Sequence, residues 1–285
     1  MHTLLRIALV IAGTYAFVCA AAFLLRDRMV FPVRGGSSGH PRDFGMGDGE
    51  KVMIPTADGL RIAAWYLPAR GTEPGARSGA VLWFHGNAES LEGLGPIIRE
   101  LRPDSAALLV IDYRGYGEST GSTTPAGTLK DAEAAWDWVS ARPEIDPARI
   151  VIYGRSIGSG PATWLAAHRP AAGLVLESAF TSLRAMARVH YPYLPSVIAG
   201  GAFNNLALMS QVRCPLLLIH ADRDEVAPIS MAHQLADAHT GLHALWTIQG
   251  AGHNETFEAG GEEYRRRFHN FIASTTRAGG EAGRP

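Results

Sequence analysis

Cysteine is nearly absent: the 285 residues hold two, Cys19 inside an N-terminal apolar run and Cys214 just before a strand-like run, so no disulfide framework staples this chain. CxxC is missing, and so is any Cys/His spacing suited to zinc; the sequence calls for no metal. Excess charge is missing too. Basic residues number 26 against 27 acidic, and without residues 1–34 the balance is 22 to 26, which leaves no electrostatic footprint for a nucleic-acid partner. Repeats and low-complexity blocks are also lacking. What is present is a 47% hydrophobic composition, enough to bury one large core in a single folded domain.

From Ile7 to Leu25 the sequence runs for 19 positions without a charge. At about 1.5 Å per residue such a helix nearly spans a bilayer core of about 30 Å. Ala20-Ala21-Ala22 offers a small-residue cleavage site, but the run exceeds a signal peptide's usual core and continues through Phe23-Leu24-Leu25, which favours an uncleaved single-pass anchor. Arg26, Arg28 and Arg34 outnumber Arg6 and lean slightly toward a cytoplasmic domain, leaving the side of the membrane open.

The expected organisation is an anchor over 1–28, a flexible Gly/Ser/Pro-rich linker over 29–49, a domain over 50–276 and a disordered tail over 277–285. "KVMIPT" and "LRIAAWYLP" flank Ala57-Asp58-Gly59 and predict a hairpin. Six apolar runs follow, "AVLWFH", "AALLVIDY", "RIVIYG", "GLVLES", "PLLLIH" and "ALWTIQ", alternating with helical patterns. Their near-continuous hydrophobicity predicts a mainly parallel sheet with helices on both faces, an α/β class. Residues 180–213 break the alternation with Pro, Gly and aromatics and predict a small lid. Tyr191, Tyr193, Leu194 and Phe203, with Val197 and Ile198, are candidates to wall a substrate pocket there or to pack inward on the domain. A terminal helix weakened by Gly260-Gly261 closes the domain.

G-x-S-x-G occurs three times, around Ser37, Ser119 and Ser156. Only Ser156 follows a β-branched strand and precedes an alanine-rich helix, the context in which a strained turn lifts a serine into solvent as a nucleophile. Such a serine needs a base and an acid. Among eleven histidines, His253 lies in "GAGHNE" directly after the last predicted strand, whereas His168, His233, His239 and His269 fall in helical patterns. Asp222, Asp224 and Glu225 follow the preceding strand and Glu177 ends the one before it; each is a candidate acid. Two backbone N–H groups are expected to bind the carbonyl oxygen, one from Ile157 and one from "FHGNAES", where Asn87 is assigned and Ala88 is the alternative. His85 is read as a structural side chain within that loop. Asp112 and Arg114 of "DYRGYGES" are read as a turn-bracing pair.

In this order and spacing, "HGN", "DYRGYGxS", "GxSxG", "DRDEVAP" and "GAGHNE" resemble the serine α/β-hydrolase superfamily across about residues 50–275. The likeness leans to its membrane-anchored α/β-hydrolase-domain branch, similar to esterases, lipases, thioesterases and proline-type aminopeptidases. The resemblance implies an α/β-hydrolase fold and selects Asp224 as the acid, with Ala221 and Ala227 replacing the usual Gly and Val of an HGxxDxxVP-like loop. It implies ester or thioester cleavage through an acyl-enzyme on Ser156, without a cofactor, on a small-molecule or lipid acyl substrate. The rivals are a serine peptidase or amidase, disfavoured by a lid without Asp or Glu, and a catalytically silent membrane-tethered scaffold.

Overall fold

Eight strands form one sheet in a computed structural model that describes residues 1–32, 35–71, 73 and 75–277. They are β1 (Glu50–Pro55), β2 (Arg61–Leu67), β3 (Ser78–Phe84), β4 (Ala106–Ile111), β5 (Ile145–Arg155), β6 (Gly173–Glu177), β7 (Leu216–Ala221) and β8 (His243–Ile248). Their order across the sheet is β1-β2-β4-β3-β5-β6-β7-β8. The β1/β2 hairpin pairs antiparallel and β2 joins β4 antiparallel, while β4, β3 and β5 to β8 run parallel.

Along β3, Ala80, Leu82 and Phe84 enter one apolar cluster and Val81 and Trp83 another; Ala107, Leu109 and Ile111 of β4 are separated in the same way from Leu108 and Val110. Side chains alternate across a strand, so burying both faces demands an unbroken apolar run, and this chain supplies one in β3 and β4, whereas the edge strand β8 is exposed at His243 and Ala244. Helices α2 (Leu91–Leu101) and α8 (Thr256–Thr275) cover one face with Leu94, Ile98, Tyr264 and Phe268. Helices α3 (Pro125–Ser140), α4 (Ser159–His168) and α7 (Ile229–Ala238) cover the other with Trp136, Leu165 and Leu235. Ser90 and Thr124 cap α2 and α3 by accepting from Gly93 N at 3.2 Å and Gly127 N at 3.0 Å.

Between β6 and β7 lie α5 (Leu183–His190), a single 3-10 turn (Ser196–Ala199) and α6 (Asn205–Met209). Of the two readings open for the lid residues, Phe203 takes the inward one. It is buried and fills the space left by Gly160, where a Cβ would come within 2.4 Å of its ring, so it anchors the segment to α4 and does not wall a pocket. The linker expectation needs correction. Ser38 Oγ donates to Asp112 Oδ2 at 2.6 Å, Pro41–Phe44 form a 3-10 turn, the Phe44 ring lies 5.5 Å from that of Trp65, and Met46 is buried. A few apolar residues among the glycines bind 38–46 to the domain. Gly261 departs from helical angles within α8 (φ 51, ψ −129). Of the expected tail, 278–285 lie outside the described residues.

The N-terminal helix α1 (His2–Val30) buries none of its residues, and its mean hydropathy of 2.3 over the best window makes it long and apolar enough to cross a membrane.

Candidate active site

At the carboxyl end of β5 the chain turns through Ser156, which adopts φ +49, a left-handed conformation costly for a residue with a side chain. The neighbouring glycines explain how the turn closes. A Cβ on Gly154 would lie 2.5 Å from Ala162 Cβ and from Gly158 O, and one on Gly158 would lie 2.2 Å from Phe84 O. Only hydrogen fits at either place. Ala88 and Ser178, at the ends of β3 and β6, also take positive φ (60 and 48), so three strained residues stand around one stretch of sheet edge. The 3-10 turn Ser156–Gly158 then leads into α4, which places the Ile157 N–H at a helix start.

His253 Nε2 lies 2.9 Å from Ser156 Oγ, and His253 Nδ1 lies 2.8 Å from Asp224 Oδ2 and 2.9 Å from Oδ1. His253 and Asp224 are buried and Ser156 is partly exposed, so solvent and substrate meet the chain of bonds at its hydroxyl end. Asp224 Oδ1 also accepts from Val226 N (2.9 Å) and Ala227 N (2.7 Å). Burial pushes the Asp224 carboxyl up, but the bonds from His253 and these amides outweigh it and hold it below the usual carboxylate range. An ionised acceptor assigns the proton to Nδ1 and leaves Nε2 as the acceptor for the serine hydroxyl. Asp222 takes a different part, with Oδ1 accepting from Gly250 N at 2.7 Å to tie the two strand-end loops together. Behind Asp224 sits His220, its Nε2 2.7 Å from Ala227 O; burial lowers its proton affinity and keeps it neutral.

In the loop after β3, Gly86 N donates to Glu89 Oε2 at 2.5 Å and Ala88 N donates to Asn87 Oδ1 at 3.1 Å, which leaves the Asn87 N–H out of the bonds that fix the loop. The Asn87 side chain is held from two sides: Tyr116 Oη donates to its Oδ1 at 2.7 Å, and its Nδ2 donates to Val30 O at 2.6 Å. The last turn of α1 therefore touches this loop. His85 Nδ1 sits 2.8 Å from Gly86 O, within its own loop.

The family model described as serine aminopeptidase, S33, matches residues 75–204. The human α/β-hydrolase domain-containing protein 17B is 34% identical over 234 residues, covering 79% of this chain and 75% of that protein. The chain belongs to the serine α/β-hydrolase superfamily. Another relative, the uncharacterised protein Rv2307c of Mycobacterium tuberculosis, is 31% identical over 275 residues, covering 94% of this chain and 93% of that protein. The Pyrococcus furiosus esterase Pf2001 superposes with a TM-score of 0.70 over 87% of this chain and 98% of its own, at 21% identity, a likeness of fold.

Within this hydrolase, Arg155 is the residue that sequence reasoning missed, since it occupies the variable position of G-x-S-x-G. Its guanidinium pairs with Glu89 of the β3 loop, with Glu177 Oε1 at 3.2 Å, and with Asn254 Oδ1 at 3.1 Å beside His253. One side chain joins the three loops that meet at Ser156. Glu177, a candidate acid from sequence, is committed elsewhere: Tyr153 and Thr256 hydroxyls donate to it, as does Tyr264 Oη at 2.6 Å. Burial raises the Glu177 carboxyl, but Arg155 and these hydroxyls prevail and hold it lowered. The Asp112–Arg114 pair read from sequence is not formed. Asp112 accepts from Ser38 and from Leu91 N at 3.0 Å, while Arg114 binds Asp131 and, through the hairpin turn, Asp58. Cys214 offers no rival nucleophile, because burial pushes its thiol up to about 12.

Proposed function

We propose that the protein is a membrane-anchored serine hydrolase that cleaves a carboxylic ester or thioester through an acyl-enzyme on Ser156. The observation that carries this reading is the unbroken series of short contacts from Asp224 through His253 to Ser156 Oγ. His253 Nε2 takes the hydroxyl proton as Oγ attacks the acyl carbonyl, Asp224 holds the ring and stabilises the resulting imidazolium, and the N–H groups of Asn87 and Ile157 receive the oxyanion. The tetrahedral adduct collapses with the proton passing from Nε2 to the leaving oxygen or sulfur. Water, deprotonated by the same nitrogen, then releases the acid and restores Ser156.

A peptidase acting on a free α-amino group needs a carboxylate aimed at that group. The carboxylates beside the site are already engaged, Glu89 by Arg155 and Gly86 N, and Glu225 by His253 N at 3.2 Å. The ester or thioester reading is therefore preferred over aminopeptidase chemistry, although the matched family model carries that name. A scaffold without turnover has no use for the strained serine at a tight Gly-flanked turn.

The experiment is a hydrolysis panel of p-nitrophenyl esters from acetate to palmitate with an acyl thioester and an aminoacyl amide, run on the wild type and Ser156→Ala. Ester or thioester turnover that disappears in the variant supports the reading. Cleavage of the amide alone replaces it with the peptidase, and no turnover of any substrate replaces it with the scaffold.

A further inference from the structure

The lid carries apolar surface where a water-soluble domain normally carries charge. Among the described residues after α1, six large apolar side chains are well exposed, and five of them, Val189, Tyr191, Tyr193, Val197 and Leu206, belong to the lid; the sixth is Leu242. Residues 180–213 contain no Asp or Glu but do contain Arg184, Arg188 and Arg213. Exposed aromatic and aliphatic residues among arginines, without acids, suit the interface of a bilayer with negatively charged headgroups.

The position of α1 gives that surface a depth. Tyr15 Oη donates to Tyr193 O at 2.9 Å. Tyr15 lies ten residues before the end of the uncharged run at Leu25, about 15 Å along the helix, near the middle of a bilayer core of about 30 Å. With α1 crossing a membrane, the lid segment bonded to Tyr15 sits below the headgroups.

Between these two elements is an apolar cavity of about 110 Å³. One wall is the last turns of α1, with Ala22, Met29 and Val30; the other is the lid, with Met186, Ala187 and Leu194. A residue of each wall bonds to a loop of the site. Val30 O holds the Asn87 side chain, and His190 Nε2 bonds Val226 O at 2.8 Å, next to the amide that Val226 donates to Asp224. Tyr191, Leu194 and Ile198, three of the lid residues picked out from sequence, line this cavity, whereas Tyr193 is exposed.

We infer that the lid and α1 form one bilayer-embedded unit, and that the half-open cavity between them takes a stretch of the long acyl chain of a membrane-resident substrate, which enters sideways from the lipid and leaves the rest of its chain there. This rests on the serine-hydrolase reading for the reaction and adds to it the substrate class and the route. The membrane helix thereby becomes a wall of the substrate site as well as a tether.

The test uses the full chain in phosphatidylcholine vesicles. In Tyr193→Trp, lipid brominated on its acyl chains is expected to quench tryptophan fluorescence at least twofold more than in the wild type; no added quenching places the lid in water and overturns the inference. That readout needs no turnover, so it remains informative if the wild type hydrolyses no ester, which would defeat the reaction alone. Ala187→Phe and Ala22→Phe narrow the cavity from opposite walls. Each is expected to lower kcat/KM for p-nitrophenyl palmitate relative to butyrate at least tenfold. An unchanged ratio, in a variant labelled by a fluorophosphonate at the wild-type rate, overturns the acyl-chain assignment. Dipalmitoylglycerol and a palmitoyl-cysteine peptide in the same vesicles tell a lipid carrier from a lipidated protein; cleavage of either supports the inference, and cleavage of neither by protein that turns over p-nitrophenyl butyrate overturns the acyl-chain assignment.

Discussion

The sheet edge around Ser156 and the lid above it are built on opposite terms. At the edge, nearly every polar group is fixed: Arg155 joins three loops, Asp224 has its amide donors, Asn87 is held from both ends, and glycines admit no atom beyond hydrogen. The lid is short helices and turns with exposed apolar side chains, held on α4 by the buried Phe203 and by Asn205, whose Nδ2 donates to Ser159 Oγ at 3.2 Å. On the proposed function, chemistry that needs atoms held to a fraction of an ångström falls to the first region and the choice of substrate to the second.

Substitutions at the edge should therefore change turnover steeply, and substitutions on the lid surface should leave the isolated fold nearly untouched. The largest effect is expected from Asp224→Asn, which removes the acceptor that sets the His253 tautomer: kcat should fall by about 10⁴. Asp222→Asn, which loosens only the Gly250 contact, should cost less than tenfold, and equal effects at the two positions would erase the distinction between them. Gly158→Ala forces a methyl into Phe84 O. Overpacking of this kind costs about 1–3 kcal/mol in an unfolding titration, and a displacement of about 1 Å at Ile157 should cost roughly 10² in kcat.

Arg155→Met should lower kcat about tenfold through loop misplacement and strip Glu177 of its buried counter-charge, at about 3–5 kcal/mol of stability. Fluorophosphonate labelling of Ser156 in that variant should slow without disappearing. Glu177→Gln probes the same network through pH. Because the folded state holds the Glu177 carboxyl lowered, its contribution is present above the unfolded value of about 4.3 and is lost as pH falls through the folded value. The variant should flatten the decline of Tm on the acid side of pH 4 and leave activity on esters largely intact. Smallest of all, Val197→Ser on the exposed lid should move stability by less than about 0.5 kcal/mol.

The same division governs what could be read from sequence. The central parallel strands were legible because burial on both faces leaves an unmistakable apolar run, and the loops bearing Ser156, Asp224 and His253 were legible because each directly follows a strand, the last of them the partly exposed edge strand β8. The strand before it and the helix after it separated Ser156 from the two other G-x-S-x-G matches, which have the same glycine spacing, and the crowding at Gly154 and Gly158 shows why that turn needs glycine at both flanks. Contacts between distant segments left no local trace. Ser38 meets Asp112 across 74 positions, and Arg155 meets Glu89 across 66, so the first lay hidden in a stretch read as linker and the second in the variable position of a motif. Phe203 stayed open between pocket lining and inward packing for a related reason: what decides is the missing Cβ of Gly160, far away in sequence, which makes room for its ring. The Asp112–Arg114 pairing failed because sequence neighbours at a strand end point to different partners, one to the 38 loop and one to α3.

The central claim is that Ser156 alone forms the covalent intermediate, activated by His253. Treating the folded full chain with a fluorophosphonate and locating the adduct by peptide mass spectrometry tests it most directly. The account predicts one stoichiometric adduct on Ser156, abolished in Ser156→Ala and strongly slowed in His253→Ala. An adduct on another residue, or none on protein that is demonstrably folded, would contradict it.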